Sequence, residues 1–282
     1  MKTRLGFHEP ILVHLKPCTV GFEACPARRD LSVTSACRQR SIVNADDFGL
    51  DAQTNHAILA AFEQGLLSSS SLMPNMPGFE EACELAEAHD LLGLIGLHFN
   101  LSEGRPLSRA MAACRRFCGD DGSFRGRGRV ARLSSPDAQA VEEELNTQFD
   151  TCVRRGIRPI HLDSHHHYHT EWAIGTIAIR VAQRQKIPRI RLSRNVGQGL
   201  GVAKQTYKAL YNNRLVRHGL AQGRHFGSAE DVRSVLASLR GGVEIGVHPR
   251  LNREGRICDY EDGPELADLL HGLGITPFER RL

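Results

Sequence analysis

A chain of 282 residues is long enough for one large α/β domain with a buried sheet, and 41% hydrophobic with 24% charged residues excludes gross disorder. A formal charge of +4 is too small for a dedicated nucleic-acid surface. No apolar run reaches the roughly 18 to 20 residues of an integral membrane segment, and the eight cysteines form no CxxC pair, which fits a reducing, cytoplasmic setting.

Residues 1–39 mix Pro10, Pro17 and Pro26 with charges and three cysteines without periodicity. They read as an extension, disordered or belonging to an upstream start, ahead of a domain over residues 40–282. From Arg40 onward, short apolar runs alternate with longer amphipathic ones, the pattern of βα units around a parallel sheet. A first strand, Arg40 to Asn44, runs into Asn44-Ala45-Asp46-Asp47-Phe48-Gly49. A helix from Ala52 to Gln64 stops at Gly65, and Ser68 to Met73 follows as a strand. A helix over Glu80 to Ala88 leads to a third strand, Leu94 to Phe99, that ends in His98-Phe99-Asn100.

Between Glu103 and Arg132 eight arginines stand against three acidic residues. That stretch either faces an anionic ligand or is a solvated loop. Ser135-Pro136-Asp137 then opens a helix to Arg155, stopped by Gly156. The strand Arg158 to Leu162 delivers Asp163-Ser164-His165-His166-His167-Tyr168-His169, and Glu171 to Gln185 is helical. Strands at Arg189 to Ser193, Arg224 to Gly227 and Val243 to Val247 complete the series, with a basic segment over residues 195–222 and His248-Pro249-Arg250 after the last strand. Seven βα repeats suit a distorted (β/α) TIM-like barrel of about seven parallel strands better than an open doubly wound sheet, and no GxGxxG or GxxxxGK[ST] follows any strand.

In a parallel barrel, reactive groups gather where the C-terminal strand ends converge. Adjacent Asp46 and Asp47 repel unless a cation separates their roles, although one aspartate there could equally cap a helix. Neutral imidazole is the commonest side-chain ligand of a catalytic divalent ion, so the His165 to His169 run points the same way. Consecutive residues point in different directions, and only one or two of those histidines can reach one ion. His98 alone would read as a hydrogen-bonded core histidine, and it gains weight only from its place. His248 stands at the same mouth as a candidate proton donor.

The motifs Asn44 to Gly49, Gly96-Leu97-His98-Phe99-Asn100-Leu101, His161 to His167 and Val247-His248-Pro249 together resemble the YdjC-like carbohydrate deacetylases. The resemblance implies a barrel enzyme that removes acetyl groups from N-acetylated sugars. It implies Asp47, His98 and His165 as ligands of one divalent ion, with Asp46 as base and His248 as general acid. Magnesium is the family's usual ion, while two histidines and one aspartate also suit zinc. Asn100, Asp163, Arg194 and Arg250 are expected to contact substrate, with Asp163 also placed to orient a histidine. The arginine-rich loop and the basic segment over 195–222 depart from the family and favour a substrate carrying phosphate. An O-acetyl or phosphate esterase and a non-catalytic metal- or sugar-binding protein are the competing readings, and a homodimer is compatible with all three.

Overall fold

The computed structural model describes residues 41–197, 201–221, 223–239, 241–275 and 278. The extension and Arg40 lie outside them. Six parallel strands form the sheet: Ile42–Phe48 (β1), Ser69–Leu72 (β2), Ile95–Phe99 (β3), Leu162–Ser164 (β4), His225–Ser228 (β5) and Val243–Val247 (β6). Their order is β4-β3-β2-β1-β6-β5, so β1 sits centrally, between its neighbour in sequence and a late strand. Every residue of β3 and β6 is buried, as strands covered on both faces require.

The helices pack outside the sheet. Ala52–Glu63 (α1) buries Ile58, Ala61 and Phe62, and its N-cap is Asp51, whose carboxylate accepts from the Thr54 amide at 2.7 Å. Phe79–Ala88 (α2), Arg109–Ala112 (α3), Ser135–Arg154 (α4) and Trp172–Gln185 (α5) follow. Four expected helices lie within two residues of their observed ends, because Asp51, Pro136 and Gly156 are strong local punctuation. Val202–Arg217 (α6) occupies the basic segment, and Ala229–Val235 (α7) and Leu266–Gly272 (α8) complete the helices. Pro249–Leu251 (β7) and Ile257–Asp259 (β8) add an antiparallel hairpin that the apolar pattern did not signal.

The sheet curls. Asp163 on β4, Asp46 on β1 and Glu244 on β6 all contact the guanidinium of Arg191. In a flat sheet β4 and β1, three strands apart, would stand about 14 Å from each other. The expected seventh strand does not form a ladder. Residues 189–193 make one parallel bridge, Ile190 to Leu162, because their amides go to different partners: Ile190 N–H to Leu220 O at 2.8 Å and Arg191 N–H to Leu162 O at 2.9 Å. Asn195 then donates to Phe226 O on β5 at 3.1 Å. An irregular segment therefore touches both edges of a six-stranded sheet, in place of the seven-stranded barrel expected. β4 is also shifted, starting at Leu162 where the expected strand ended.

Candidate active site

Asp46 and Asp47 belong to β1 and do not cap α1, a role taken by Asp51. Neighbours on a regular strand point to opposite faces. Here the register with β2 shifts between Ala45 and Phe48, and Asp47 adopts φ +69°. This bulge turns both carboxylates into one site, and left-handed backbone at a non-glycine residue costs on the order of 1–2 kcal/mol.

Asp47 Oδ1 lies 2.8 Å from His165 Nδ1 and 3.2 Å from His98 Nε2. Ligand atoms of Asp47, His98 and His165 all fall within 4.8 Å of one another, and all three residues are buried. His98 Nδ1 faces Asp163 Oδ1 at 2.8 Å and the Ser71 hydroxyl at 3.0 Å. The carboxylate thereby holds the Nδ1 proton and directs Nε2 at Asp47. Burial pushes the His98 imidazole down, but Asp163, Asp47 and Asp46 outweigh it and raise its pKa to about 10. Burial likewise pushes Asp47 up, and the two imidazoles overcome it, holding the carboxyl well below the usual range.

One imidazole of the histidine run reaches Asp47, as side-chain directions require. His166 and His167 take left-handed φ of 53° and 58°. His166 Nδ1 lies 2.9 Å from the Ser102 hydroxyl, and buried His169 bonds Ser164 at 2.7 Å. His165 Nε2 is 3.3 Å from Glu103 Oε1 without hydrogen-bond geometry, and Glu103, His165 and His166 form a second ligand group sharing His165.

Asp46 is held from the other side. Arg191 donates to both of its oxygens at 2.7 Å and to Glu244 Oε1 at 2.6 Å, and forms an ion pair with Asp163 Oδ2 at 2.7 Å, while Phe226 covers the guanidinium at 4.8 Å. Burial pushes the Asp46 carboxyl up, and Arg191 overcomes it, so the group stays ionised. His248 Nε2 stands 3.9 Å from Asp46 Oδ2, its ring stacked on Tyr260 at 4.4 Å, with Asp259 4.0 Å from Nδ1. Arg191, Glu244, Asp259 and Tyr260 escaped the sequence reading. Arg191 and Glu244 each left a signal there, as a charge between two apolar residues of a strand-like stretch, Ile190 and Leu192 for the first and Val243 and Ile245 for the second.

The expected substrate contacts divide. Asn100 is buried and fully engaged: its amide donates to Asn75 Oδ1 and Glu103 O, and its oxygen accepts from the Ser102 and Glu103 amides. It shapes the loop and offers no free polar atom. Asp163, fully buried, has both carboxylate oxygens engaged by His98, Ser71 and Arg191. Arg250 stands 3.8 Å from Asp47 Oδ2, and Arg194 pairs with Asp231 at 3.1 Å on the wall of a cavity of about 920 Å³.

The donor set fits a divalent cation. Three buried carboxylates, Asp46, Asp163 and Glu244, gather around Arg191, the one arginine among the described residues whose side chain is fully buried, and a fourth, Asp47, stands against His98 and His165. Asp47 Oδ1 and His98 Nε2, both electron-pair donors, face each other at 3.2 Å. Something positive must lie between them, either a proton on His98 or a metal ion. Two imidazoles and a carboxylate with an oriented outer carboxylate match the donor set that could hold one such ion.

Fold and centre define a parallel α/β protein with a carboxylate–imidazole site at the C-terminal ends of its strands. The chain belongs to the YdjC-like protein family, whose model matches residues 40–270. It is 38% identical over 147 residues to a carbohydrate deacetylase of Geobacillus stearothermophilus, covering 52% of this chain and 57% of the relative. A chitooligosaccharide deacetylase of Serratia marcescens is 38% identical over 166 residues, 58% of this chain and 64% of the relative. The chain thus spans less than two thirds of these relatives' length. A carbohydrate deacetylase of Thermoanaerobacter pseudethanolicus is 29% identical over 74% of this chain and 80% of its own. A solved structure from Enterococcus faecalis, described as a candidate cellobiose-phosphate cleavage protein, superposes with a TM-score of 0.61 at 20% identity, over 83% of this chain and 95% of that one, and supports the fold alone.

Proposed function

We propose that the chain is a metal-dependent carbohydrate N-deacetylase that hydrolyses the acetamide of an amino sugar to a free amine and acetate. The supporting observation is the placement of Asp46 with its Arg191 clamp and His248 against the Asp47–His98–His165 centre, 3.9 Å separating Asp46 Oδ2 from His248 Nε2. A metal binder without chemistry needs neither of the first two groups.

Asp47, His98 and His165 would hold the ion, magnesium or zinc. When bound, it would polarise the acetamide carbonyl and make water more acidic. Asp46 takes the proton from the attacking water. Its Oδ2 receives a single hydrogen bond, from Arg191, and faces His248, so this oxygen is the one open to the proton. Arg191 fixes the carboxylate plane, and Asp163 fixes His98. His248, backed by Asp259 and held by the Tyr260 ring, gives its proton to the departing nitrogen. Arg250 at the rim is positioned to meet the substrate.

The test measures acetate release from N-acetylated and O-acetylated sugars before and after chelation, with metal analysis of the protein. Activity lost with the ion and restored by its return is the expected result, and Asp46→Asn should lower the rate by about 10²- to 10⁴-fold. Full activity in Asp46→Asn would remove the base assignment. Activity indifferent to chelator would remove the metal, and release from O-acetyl esters alone would favour an esterase.

A further inference from the structure

Two consecutive histidines after β4 meet two consecutive residues after β3. His166 Nδ1 lies 2.9 Å from the Ser102 hydroxyl, and His165 Nε2 lies 3.3 Å from Glu103 Oε1. His165 reaches Asp47 through Nδ1 at 2.8 Å, so its other nitrogen points away from Asp47, buried and without a hydrogen-bond partner. Among the described residues, Glu103 is the only carboxylate within 4.0 Å of that nitrogen. The Glu103 backbone is pinned in place. Its amide donates to Asn100 Oδ1 at 3.1 Å, and its carbonyl accepts from Asn100 Nδ2 at 2.9 Å and Asn75 Nδ2 at 3.0 Å. The side chain itself is 42% exposed and can turn its carboxylate onto Nε2 without moving the loop.

His98 has the matching arrangement, with Nε2 facing Asp47 at 3.2 Å and Nδ1 held by Asp163 at 2.8 Å. Each imidazole thus stands between two carboxylates, Asp163 and Asp47 for His98, Asp47 and Glu103 for His165. A neutral imidazole carries one ring proton. Where the nitrogen facing Asp47 serves a shared ion, that proton sits on the far nitrogen, and a carboxylate there fixes the tautomer and the ring orientation. We infer that Glu103 is the positioning residue of His165, accepting a hydrogen bond from Nε2–H and keeping Nδ1 directed at the ion, as Asp163 does for His98. The inference rests on the metal reading of the centre. Asp163 is fully buried, whereas Glu103 reaches in from a partly exposed loop, so its role can be tested by substitution without emptying the interior.

Zinc affinity of the full chain, measured by competition with a chromophoric chelator, tests the role. Glu103→Gln should weaken zinc binding about 10- to 100-fold, with one ion per chain in the wild type. It should leave the unfolding midpoint of the ion-free protein unchanged, because the backbone bonds to Asn75 and Asn100 remain. Glu87→Gln, exposed on α2, should change neither. Imidazole nitrogen NMR of the zinc-loaded wild type supplies a readout that a merely structural role would not move: His165 should bind through Nδ1 and carry its proton on Nε2. Equal zinc affinity in the wild type and Glu103→Gln overturns the inference, as does His165 bound through Nε2, or a second ion lost with Glu103, which would make Glu103 a ligand. If zinc binding is lost in Asp47→Asn but unchanged in Glu103→Gln, the metal reading stands without this inference. A wild type that binds no zinc and no magnesium removes both.

Discussion

In the centre around Arg191, three buried carboxylates share a single guanidinium at 2.6 to 2.7 Å, and His98 is held by Asp163 at 2.8 Å. In the cavity lined by His166 and His167, four cations, Arg127, Arg129, Lys204 and Lys208, stand exposed or half-buried without a carboxylate within 4.0 Å among the described residues. The first region carries more carboxylates than its one arginine balances, so it holds negative charge to spare. The second carries cations in excess of Glu171 and the Arg194-paired Asp231, the carboxylates beside them among the described residues. The two regions thus hold opposite surplus charges side by side.

The comparison is broken most severely by Arg191→Ala. Losing the guanidinium leaves Asp46, Asp163 and Glu244 buried without their cation, and denaturant unfolding should show a loss of about 3–5 kcal/mol. Arg191→Lys keeps the charge without the two-pronged grip and should fall between. Acid is the next lever. Burial, reinforced by Arg189, lowers His161 to about 3, and burial with neighbouring cations lowers His169 to about 3 and His167 to about 4. These histidines fold neutral, so their contribution is present above an unfolded pKa of about 6.5 and is lost as pH falls towards the folded values. For His161 alone the loss by pH 5 is about 2 kcal/mol, read as a drop in unfolding free energy. Asp47 and Asp163, held low in the fold, add losses of the same sign at lower pH.

Gly96→Ala sharpens the contrast on the interior side. A Cβ there would lie 2.3 Å from His161 Cε1, and the overpacking should cost about 1–3 kcal/mol in the same unfolding measurement. Salt should have the smallest effect: raising ionic strength from about 0.05 to 0.5 M should leave the Arg191→Ala penalty nearly unchanged, because buried charges are screened much less than exposed ones.

What the sequence disclosed follows from where polarity breaks an apolar strand. Asp46, Asp47, His98, His165 and His248 each interrupt such a run at its end, and the fold brings all five to one mouth. Arg191 breaks a run in the middle, where a polar residue reads as an outward position, and its role depends on three carboxylates from distant strands. The closed seven-stranded barrel failed for a related reason: the pattern at residues 189–193 is strand-like, but its amides find scattered partners. Asn100 and Asp163, expected as substrate contacts, have polar atoms engaged within the fold, and spacing reports proximity to a site and not whether those atoms are already in use. The hairpin of β7 and β8, which supplies Asp259 and precedes Tyr260, is too short to signal itself.

The pairing of Ile42 with Glu244 in the middle of the sheet has a consequence for synthesis. As the chain leaves the ribosome, β1 can pair with β2 at once, but its other edge stays open until Val243–Val247 has emerged. An open central edge is a template for association with other chains, and contacts of such long sequence separation form slowly. Asp46 waits through the same interval, since Arg191 reaches it from a later segment and is itself paired by Glu244 only once β6 has emerged. A nascent chain stalled before β6 carries the aspartates of the site without the geometry that makes them one, and it is the form that most needs a chaperone.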